Sequence, residues 1–330
     1  MVTSGASGSP DQASSAEDLR VCLRAATLYY LDGLTQADVA TRLGVSRPTA
    51  GRLIARARAE GLVSIDVHIP KHLRDDFHSE EERALEEKFV LAEAIVVTDN
   101  VDSLDGSFTS VGRAAAGLLT RRIRSSDALG FTWGPETVAV AQALPANTAT
   151  AKEIVQLDGS MSAINYQTGV EYILGRCGAQ LKAATVRLPA PLYADANTVT
   201  AMKSDSVISA ALKKGREANM MIFGVGAVST AGTLFEGSFI DAGTLGTLTR
   251  LGAVGEIGGQ FYDQDGHAVD GPLNDRTMSV GLDEVRACPG AILITGGQAK
   301  HEAVLGAVRG GLAKMLVCDL ECAQWLLNQR

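Results

Sequence analysis

Between residues 42 and 58 the chain sets Arg42, Arg47, Arg52, Arg56 and Arg58 with no acidic residue among them, although the whole protein carries a formal net charge of −8. Residues 1–70 hold seven basic and seven acidic groups, so the acidic surplus lies entirely beyond them and the arginine cluster is local. Guanidiniums gathered in this way suit a polyanion, which they meet by charge at phosphates and by paired hydrogen bonds at base edges. A second set of residues able to do chemistry lies in the glycine-rich stretches GFTWGPET, QLDGS, GVGAVS, GAVGEIGG and ITGGQAK. Several of these lead into helix starts, whose free N–H groups favour anions or hydroxyl-rich ligands.

The arginines need a scaffold, and the preceding pattern supplies one. Leu19, Leu23, Ala26 and Tyr30 recur at helical spacing and predict a first helix over about 19–31, stopped by Asp32-Gly33. Thr35 is an N-cap type residue for a second helix, Gln36 to Leu43, which turns Val39, Ala40 and Leu43 inward and ends at Gly44. Ser46 caps a third helix with Pro48 in its first turn, running through Leu53, Ile54 and Ala57 until Gly61 closes it. Two helices joined by the turn GVS form a helix-turn-helix whose second helix bears the arginines.

On that helix Arg47 and Thr49, with Ser46 and Arg52 beside them, point away from the Leu53/Ile54 face and are placed for base edges in a major groove. Arg56 and Arg58 are placed for phosphates, and Gln36 and Arg42 for the backbone from the other side. A merely solvated charged face is the plain alternative; the turn, the cap and the absence of intervening acids favour double-stranded DNA as partner. Residues 1–16, rich in Ser, Gly and Ala, are expected to be disordered, leaving 17–70 as the helix-turn-helix domain with LVSIDVHIP as a short wing strand. The charge-dense stretch KHLRDDFHSEEERALEEKFVL, with Leu85, Phe89 and Leu91 apolar, reads as a linker and helix over 71–92, the boundary falling near residue 75.

Composition narrows the rest. With 46% hydrophobic and 5% aromatic residues and abundant Gly, the 330 residues suit two domains of a soluble α/β protein. No apolar run approaches the roughly 18 residues of a membrane span, and the start lacks signal-peptide features, so no membrane association and a cytoplasmic address are expected. Cys22, Cys177, Cys288, Cys318 and Cys322 are odd in number and form no CxxC pair, which predicts reduced, packed thiols. His68, His72 and His78 lack ligand-spaced neighbours and read as solvated linker residues. No metal and no cofactor is implied.

From residue 94 one unit repeats: a short β-rich apolar run, then a helical stretch. AIVVT (94–98), ALGFTW (128–133), IVQL (154–157), ATVRLP (184–189), MMIFGVG (220–226), AILITGG (291–297) and KMLVC (314–318) predict the buried strands of a doubly wound sheet over 93–330. Such sheets bind ligands beyond the carboxyl ends of their strands, where the glycine loops lie. GVGAVSTAG lacks the GxGxxG spacing, and neither GxxxxGK[ST], GxSxG nor HExxH occurs, while His267 and His301 have no readable partner.

The combination resembles the SorC/DeoR-type sugar-binding transcriptional regulators, through LTQADVATRLGVSRPTAGRLIARARAEGLV, GFTWGPETVAVAQAL, GAVGEIGGQFYDQDG and ITGGQAKHEAVLGAVRGGLAKMLVCD. The likeness runs from about Leu19 to the end. It implies an effector domain akin to sugar-phosphate isomerases, a dimer or tetramer on operator DNA, and a sugar or sugar phosphate that alters DNA affinity. It also implies a pocket made by Thr132, Trp133, Gly134, Glu136 and Thr137, by Asn165 and Gln167, by Gly224 and Gly226, and by Glu256 and Lys300. One departure matters: phosphate-binding members place small hydroxyl residues after the loop glycine, where this chain has Pro135 and Glu136. Pro135 has no N–H to offer and Glu136 would repel a dianion, so an unphosphorylated polyol or sugar is expected. The competing class is a sugar-phosphate isomerase-like enzyme using Glu256 and Lys300 as acid and base, which a fused DNA-binding module disfavours. A purely structural DNA-binding protein leaves the glycine loops unexplained.

Overall fold

The computed structural model describes residues 10–65, 77–98, 108–161, 164 and 166–330, with side chains described from Glu17 onward. The chain divides into two compact units, at residues 69 and 70.

In the first unit α1 (Pro10–Ala26) continues into a π-helical turn, Thr27–Leu31, and is followed by α2 (Gln36–Leu43) and α3 (Arg47–Ala59). The helix begins earlier than expected: Pro10–Ala16, read from composition as disordered, form its first turns, since Pro is tolerated at a helix start and Ala propagates the helix well. The helix-turn-helix is built as its residue types require. Thr35 and Asp38 form a reciprocal capping box at the start of α2, Gly44 ends it at φ 67°, and the Ser46 hydroxyl accepts from the Thr49 N–H at 3.3 Å. Ala25, Leu28, Val39, Ala40, Ala50 and Ile54 pack together as the small core that fixes α3 against its neighbours. No strand occurs over residues 62–65, where the backbone leaves α3 through the left-handed Gly61; the rest of the expected wing lies outside the described residues.

The second unit contains a seven-stranded parallel sheet in the order β1-β10-β9-β5-β2-β3-β4. Its strands are β1 (Glu93–Val97), β2 (Ala128–Phe131), β3 (Glu153–Gln156), β4 (Ala184–Val186), β5 (Met220–Phe223), β9 (Gly290–Ile294) and β10 (Met315–Asp319). All seven expected strands are present. Successive residues feed opposite faces: Met220, Ile222, Ile292, Ile294, Met315 and Val317 join one core, and Met221, Phe223, Ala291, Leu293, Leu316 and Cys318 the other. Both faces are covered by helices, which is why these strands read as continuous apolar runs and not as alternating ones.

The helices are α4 (Ser79–Phe89), α5 (Thr109–Arg122), α6 (Pro135–Ala143), α7 (Val170–Leu181), α8 (Ala196–Ser204), α9 (Ser206–Arg216), α10 (Thr233–Glu236), α11 (Ala242–Arg250), α12 (Leu282–Ala287), α13 (His301–Arg309) and α14 (Leu320–Asn328). A small antiparallel sheet of β6 (Gly226–Ala227), β7 (Gly255–Ile257) and β8 (Gln260–Tyr262) occupies stretches that the sequence presents as glycine loops. From β2 the chain steps outward to β3 and β4, then returns to place β5 on the other side of β2. The crevice beyond the ends of β2 and β5 is therefore a topological switch point.

Two features correct the reading of the charged linker. His78 is half-buried and bonded through Nε2 to the Thr98 hydroxyl at 3.0 Å, so it anchors the entry to α4; His68 and His72 lie outside the described residues. The acids of α4 do more than solvate it. β1 is an edge strand, and its outward N–H groups at Ala94 and Val96 donate to Glu86 at 2.9 Å and Glu82 at 3.0 Å, so the edge is closed by side chains. Glu86→Ala strands a part-buried N–H and is expected to lower unfolding stability by about 1–2 kcal/mol, measured by urea denaturation; an unchanged midpoint would remove this role from the helix.

Candidate functional site

In the first unit the arginines project as expected. Arg42, Arg47, Arg52 and Arg58 are exposed and none of the four makes an ion pair among the described residues. The Arg52 guanidinium donates to the Thr49 hydroxyl at 3.3 Å, and that hydroxyl also lies 2.8 Å from the Ser46 hydroxyl, so the first turn of α3 holds an ordered polar row. Arg56 differs. It lies 3.6 Å from Glu60, its neighbour one helical turn on, and 3.7 Å from Asp18, which folding brings from α1. Gln36 is half-buried where α2 crosses α3, its side chain close to Gly51.

In the second unit a tight cavity, of about 30 Å³, opens at the β2/β5 switch point. Thr132, Trp133, Gly134, Glu136, Gly224, Gly226, Glu256 and Lys300 all line it. They come from four separate segments: three follow the parallel strands β2, β5 and β9, which end on the same side, and the fourth, with Glu256, is β7 of the small antiparallel sheet.

The electrostatic centre is an ion pair between Lys300 and Glu136, with the carboxylate only 3% exposed. Burial pulls the Lys300 ammonium down to about 8. The Lys300 nitrogen also stands 5.1 Å from the centre of the Phe108 ring. Gly224 is what makes room for the pair: a Cβ there would come within 2.7 Å of the Glu136 carboxyl carbon.

Glu256 lies across the small sheet, directly opposite Gly226 in the β6–β7 register, and a Cβ on Gly226 would run into its carboxylate. Its Oε2 accepts from the Gly259 N–H at 2.8 Å, yet burial pushes its pKa up to about 7. Asp158, at the end of β3, is buried and its carboxyl is raised well above the usual range, first by burial and then by Glu256. The Trp133 N–H donates to it at 3.3 Å. The cavity thus sets two carboxyls that resist ionisation beside one lysine already neutralised.

Other assignments are adjusted by the geometry. Thr137 is fully buried and its hydroxyl donates to the Gly134 carbonyl at 3.0 Å, so it secures the loop and does not line the cavity. Gln167 lies in an adjoining cavity of about 360 Å³ with Phe108, Val138 and Gln142, and Asn165 lies outside the described residues. The Trp133 indole N–H donates to the Gly159 carbonyl at 2.8 Å while its ring stacks on Phe239 at 5.2 Å, so Trp133 is held rigidly at the junction of the two cavities. Lys300 pairs with Glu136 and not with Glu256, although both Lys300 and Glu256 line the cavity. Asp158, Thr233 and Leu234 are lining residues to which the sequence reading assigned no role; Asp158 stands within the flagged loop QLDGS, where nothing but the fold shows that it turns toward Glu256.

Elsewhere the five cysteines are free and buried, and His301 stacks on Trp325 at 4.9 Å. His267 stands 3.7 Å from Asp263, a partner eclipsed in the sequence by the turn between them. Among the described residues no helix is long and apolar enough to cross a membrane.

The comparisons with known proteins divide at the same place. The family model described as "Putative sugar-binding domain" matches residues 75–328, and that for sigma-70 region 4 matches residues 25–60. The deoxyribonucleoside regulator of Bacillus subtilis (strain 168) is 30% identical over 313 residues, spanning 94% of this chain and 98% of that protein. The sorbitol operon regulator of Klebsiella pneumoniae is 26% identical over 322 residues, spanning 95% and 99%. The crystal structure of the full-length sorbitol operon regulator SorC from the same organism superposes with a TM-score of 0.70 at 25% identity, covering 94% of this chain and all of that one. A DeoR family transcriptional regulator from Listeria monocytogenes gives 0.69 at 26% identity over 75% of this chain and 98% of that chain.

The raised Glu256 carboxyl has a measurable consequence. Its folded value of about 7 exceeds the ordinary 4.5, so the folded state holds the proton more tightly and stability falls as pH rises from the lower value through the higher. Glu256→Gln removes that titration. The variant is expected to gain on the order of 2–3 kcal/mol relative to wild type between pH 5 and pH 8. Urea midpoints at the two pH values measure it, and a difference that does not change with pH contradicts it.

Proposed function

The chain belongs to the SorC/DeoR-type family of sugar-binding transcriptional regulators, and on that premise we propose that it binds operator DNA through α3 with an affinity set by an unphosphorylated polyol or free sugar in the β2/β5 cavity. The observation that carries the effector class is the Glu136–Lys300 pair. Lys300 is the single cation lining this cavity among the described residues, and its charge is already met by Glu136. A phosphate dianion placed there would find no unpaired cation among the described lining residues and, at the start of α6, a proline lacking an N–H. Neutral hydroxyls meet no such penalty. Carboxyls whose pKa is raised can accept from a hydroxyl when ionised and donate to one when protonated, which suits a ligand made of alcohols.

Arg47, Thr49 and Arg52 are the base-reading side chains of this proposal, and Arg42 and Arg58 the phosphate-binding ones. The engaged Arg56 contributes only by leaving Asp18 and Glu60. One recognition helix covers too little DNA for tight specific binding, so the working form is a homo-oligomer, a dimer or tetramer reading paired half-sites in the cytoplasm. The effector acts by favouring one state of that oligomer, since equal affinity for both states would shift nothing.

Two measurements test this. In mobility-shift titrations against the operator, Arg47→Ala and Arg52→Ala should each cost about 1–3 kcal/mol on the cognate site only, whereas Arg58→Ala should weaken all duplexes alike and reduce the salt slope by about 1. Calorimetry with alditols, free sugars and their phosphates should give binding of unphosphorylated compounds. Binding confined to the phosphates would establish a phosphorylated effector in its place.

A further inference from the structure

We propose that the second unit carries a further ligand site, away from the switch-point cavity, which binds a small hydroxylated carboxylate of the aldonate class. The site is a pocket of about 270 Å³ between α8, α9, β8 and the segment from Asn274 to Glu284. That volume is just under the range for drug-sized ligands, roughly 300–1,000 Å³, and suits a smaller molecule. No residue lines both this pocket and the switch-point cavity.

Charge singles the pocket out. The second unit holds the acidic surplus of the chain, and basic side chains such as Arg121, Arg122, Arg187 and Lys214 each meet a carboxylate there. Lys203 and Arg216 do not. Both are exposed, both line the pocket, and neither makes an ion pair or a hydrogen bond among the described residues. Local structure brings them together. Ser209, Leu212 and Arg216 recur at helical spacing on one face of α9, and Lys203 stands in the last turn of α8. The Asp205 carboxylate between the two helices accepts from the N–H groups of Val207 and Ile208 at 2.9 and 3.1 Å, which fixes the joint.

The remaining groups suit alcohols. Gln260 spends its amide nitrogen on the Ser279 hydroxyl at 2.8 Å and the Val280 carbonyl at 2.5 Å, so its amide oxygen is left as an acceptor. Asn274 accepts from the Gly271 N–H at 3.2 Å through its amide oxygen, so its amide nitrogen is left as a donor. Ser279 is in turn held by backbone pairing with Asp158, and the buried Thr277 hydroxyl donates to the Leu273 carbonyl at 2.7 Å. These groups are in place before a ligand arrives, which lowers the cost of ordering them. Among the lining residues Lys203 and Arg216 are the cations and the half-buried Glu284 the one anion, leaving a single net positive charge. One carboxylate matches that balance, and a guanidinium beside an ammonium is a strong hydrogen-bonding partner for it.

The experiment is calorimetry of the full chain with gluconate, with gluconamide, its uncharged analogue, and with glucose 6-phosphate, on the wild type and on Lys203→Ala, Arg216→Ala and Arg216→Lys. Wild type is expected to bind gluconate, and each alanine variant to bind it about tenfold or more weakly. Arg216→Lys should recover part of that loss. Gluconamide affinity and the thermal midpoint should not respond to any of the three substitutions, since both side chains are exposed and otherwise unengaged. No gluconate binding, or gluconate affinity unchanged in both alanine variants, overturns the site. Glucose 6-phosphate binding more tightly than gluconate through the same two residues overturns the carboxylate class. Either failure leaves the reading of the switch-point cavity standing, because that reading is tested with alditols and by other residues.

Discussion

A buried carboxylate in contact with a buried ammonium, Glu136 with Lys300, sets the charge balance of the cavity at the β2/β5 switch point. Neither charge could be held alone in this cavity, because an unpaired buried ion costs several kcal/mol. Together they are nearly neutral, and the cavity keeps polarity without offering a net positive field. Much of the local architecture serves the pair. Gly224 leaves the space that the Glu136 carboxyl occupies, Pro135 starts α6 just before Glu136, and the turn after β9 delivers Lys300 from the far side of the crevice.

The same logic repeats one step away. Glu256 lies over Gly226 and is tied by the Gly259 N–H, and Asp158 is buried near enough for Glu256 to raise its pKa. Acids set this close favour protonated forms, so the site presents hydroxyl-like donors and acceptors in place of fixed anions. A ligand that cannot complete hydrogen bonds to such groups leaves buried polar atoms unpaired.

The nucleic-acid face works by the opposite arrangement. Arg47, Arg52 and Arg58 are exposed on a helix fixed by a very small core, whereas the cavity of the second unit holds its lysine buried and paired. Long-range attraction to phosphates needs only that exposure, whereas base reading needs the ordered first turn in which Ser46, Thr49 and Arg52 are linked. An overall acidic protein can therefore bind DNA, provided the unit that carries the arginines has no acidic surplus of its own.

The order of residues alone determined the helix-turn-helix, its caps and turn, the seven apolar strands and the loops at their ends, because each of these rests on short-range rules: periodicity, capping and the left-handed freedom of glycine. It also identified most cavity residues through family likeness. It did not reveal the small antiparallel sheet, since two- and three-residue strands carry no periodicity, and it left Asp158 without a role and Thr137 with the wrong one. Nor could it show that Lys300 meets Glu136 across 164 positions, that Asp18 reaches Arg56, or that Glu82 and Glu86 close the edge of β1. Those partnerships depend on distances set by parallel strand order and burial, and only the folded chain brings such remote charges within reach of one another.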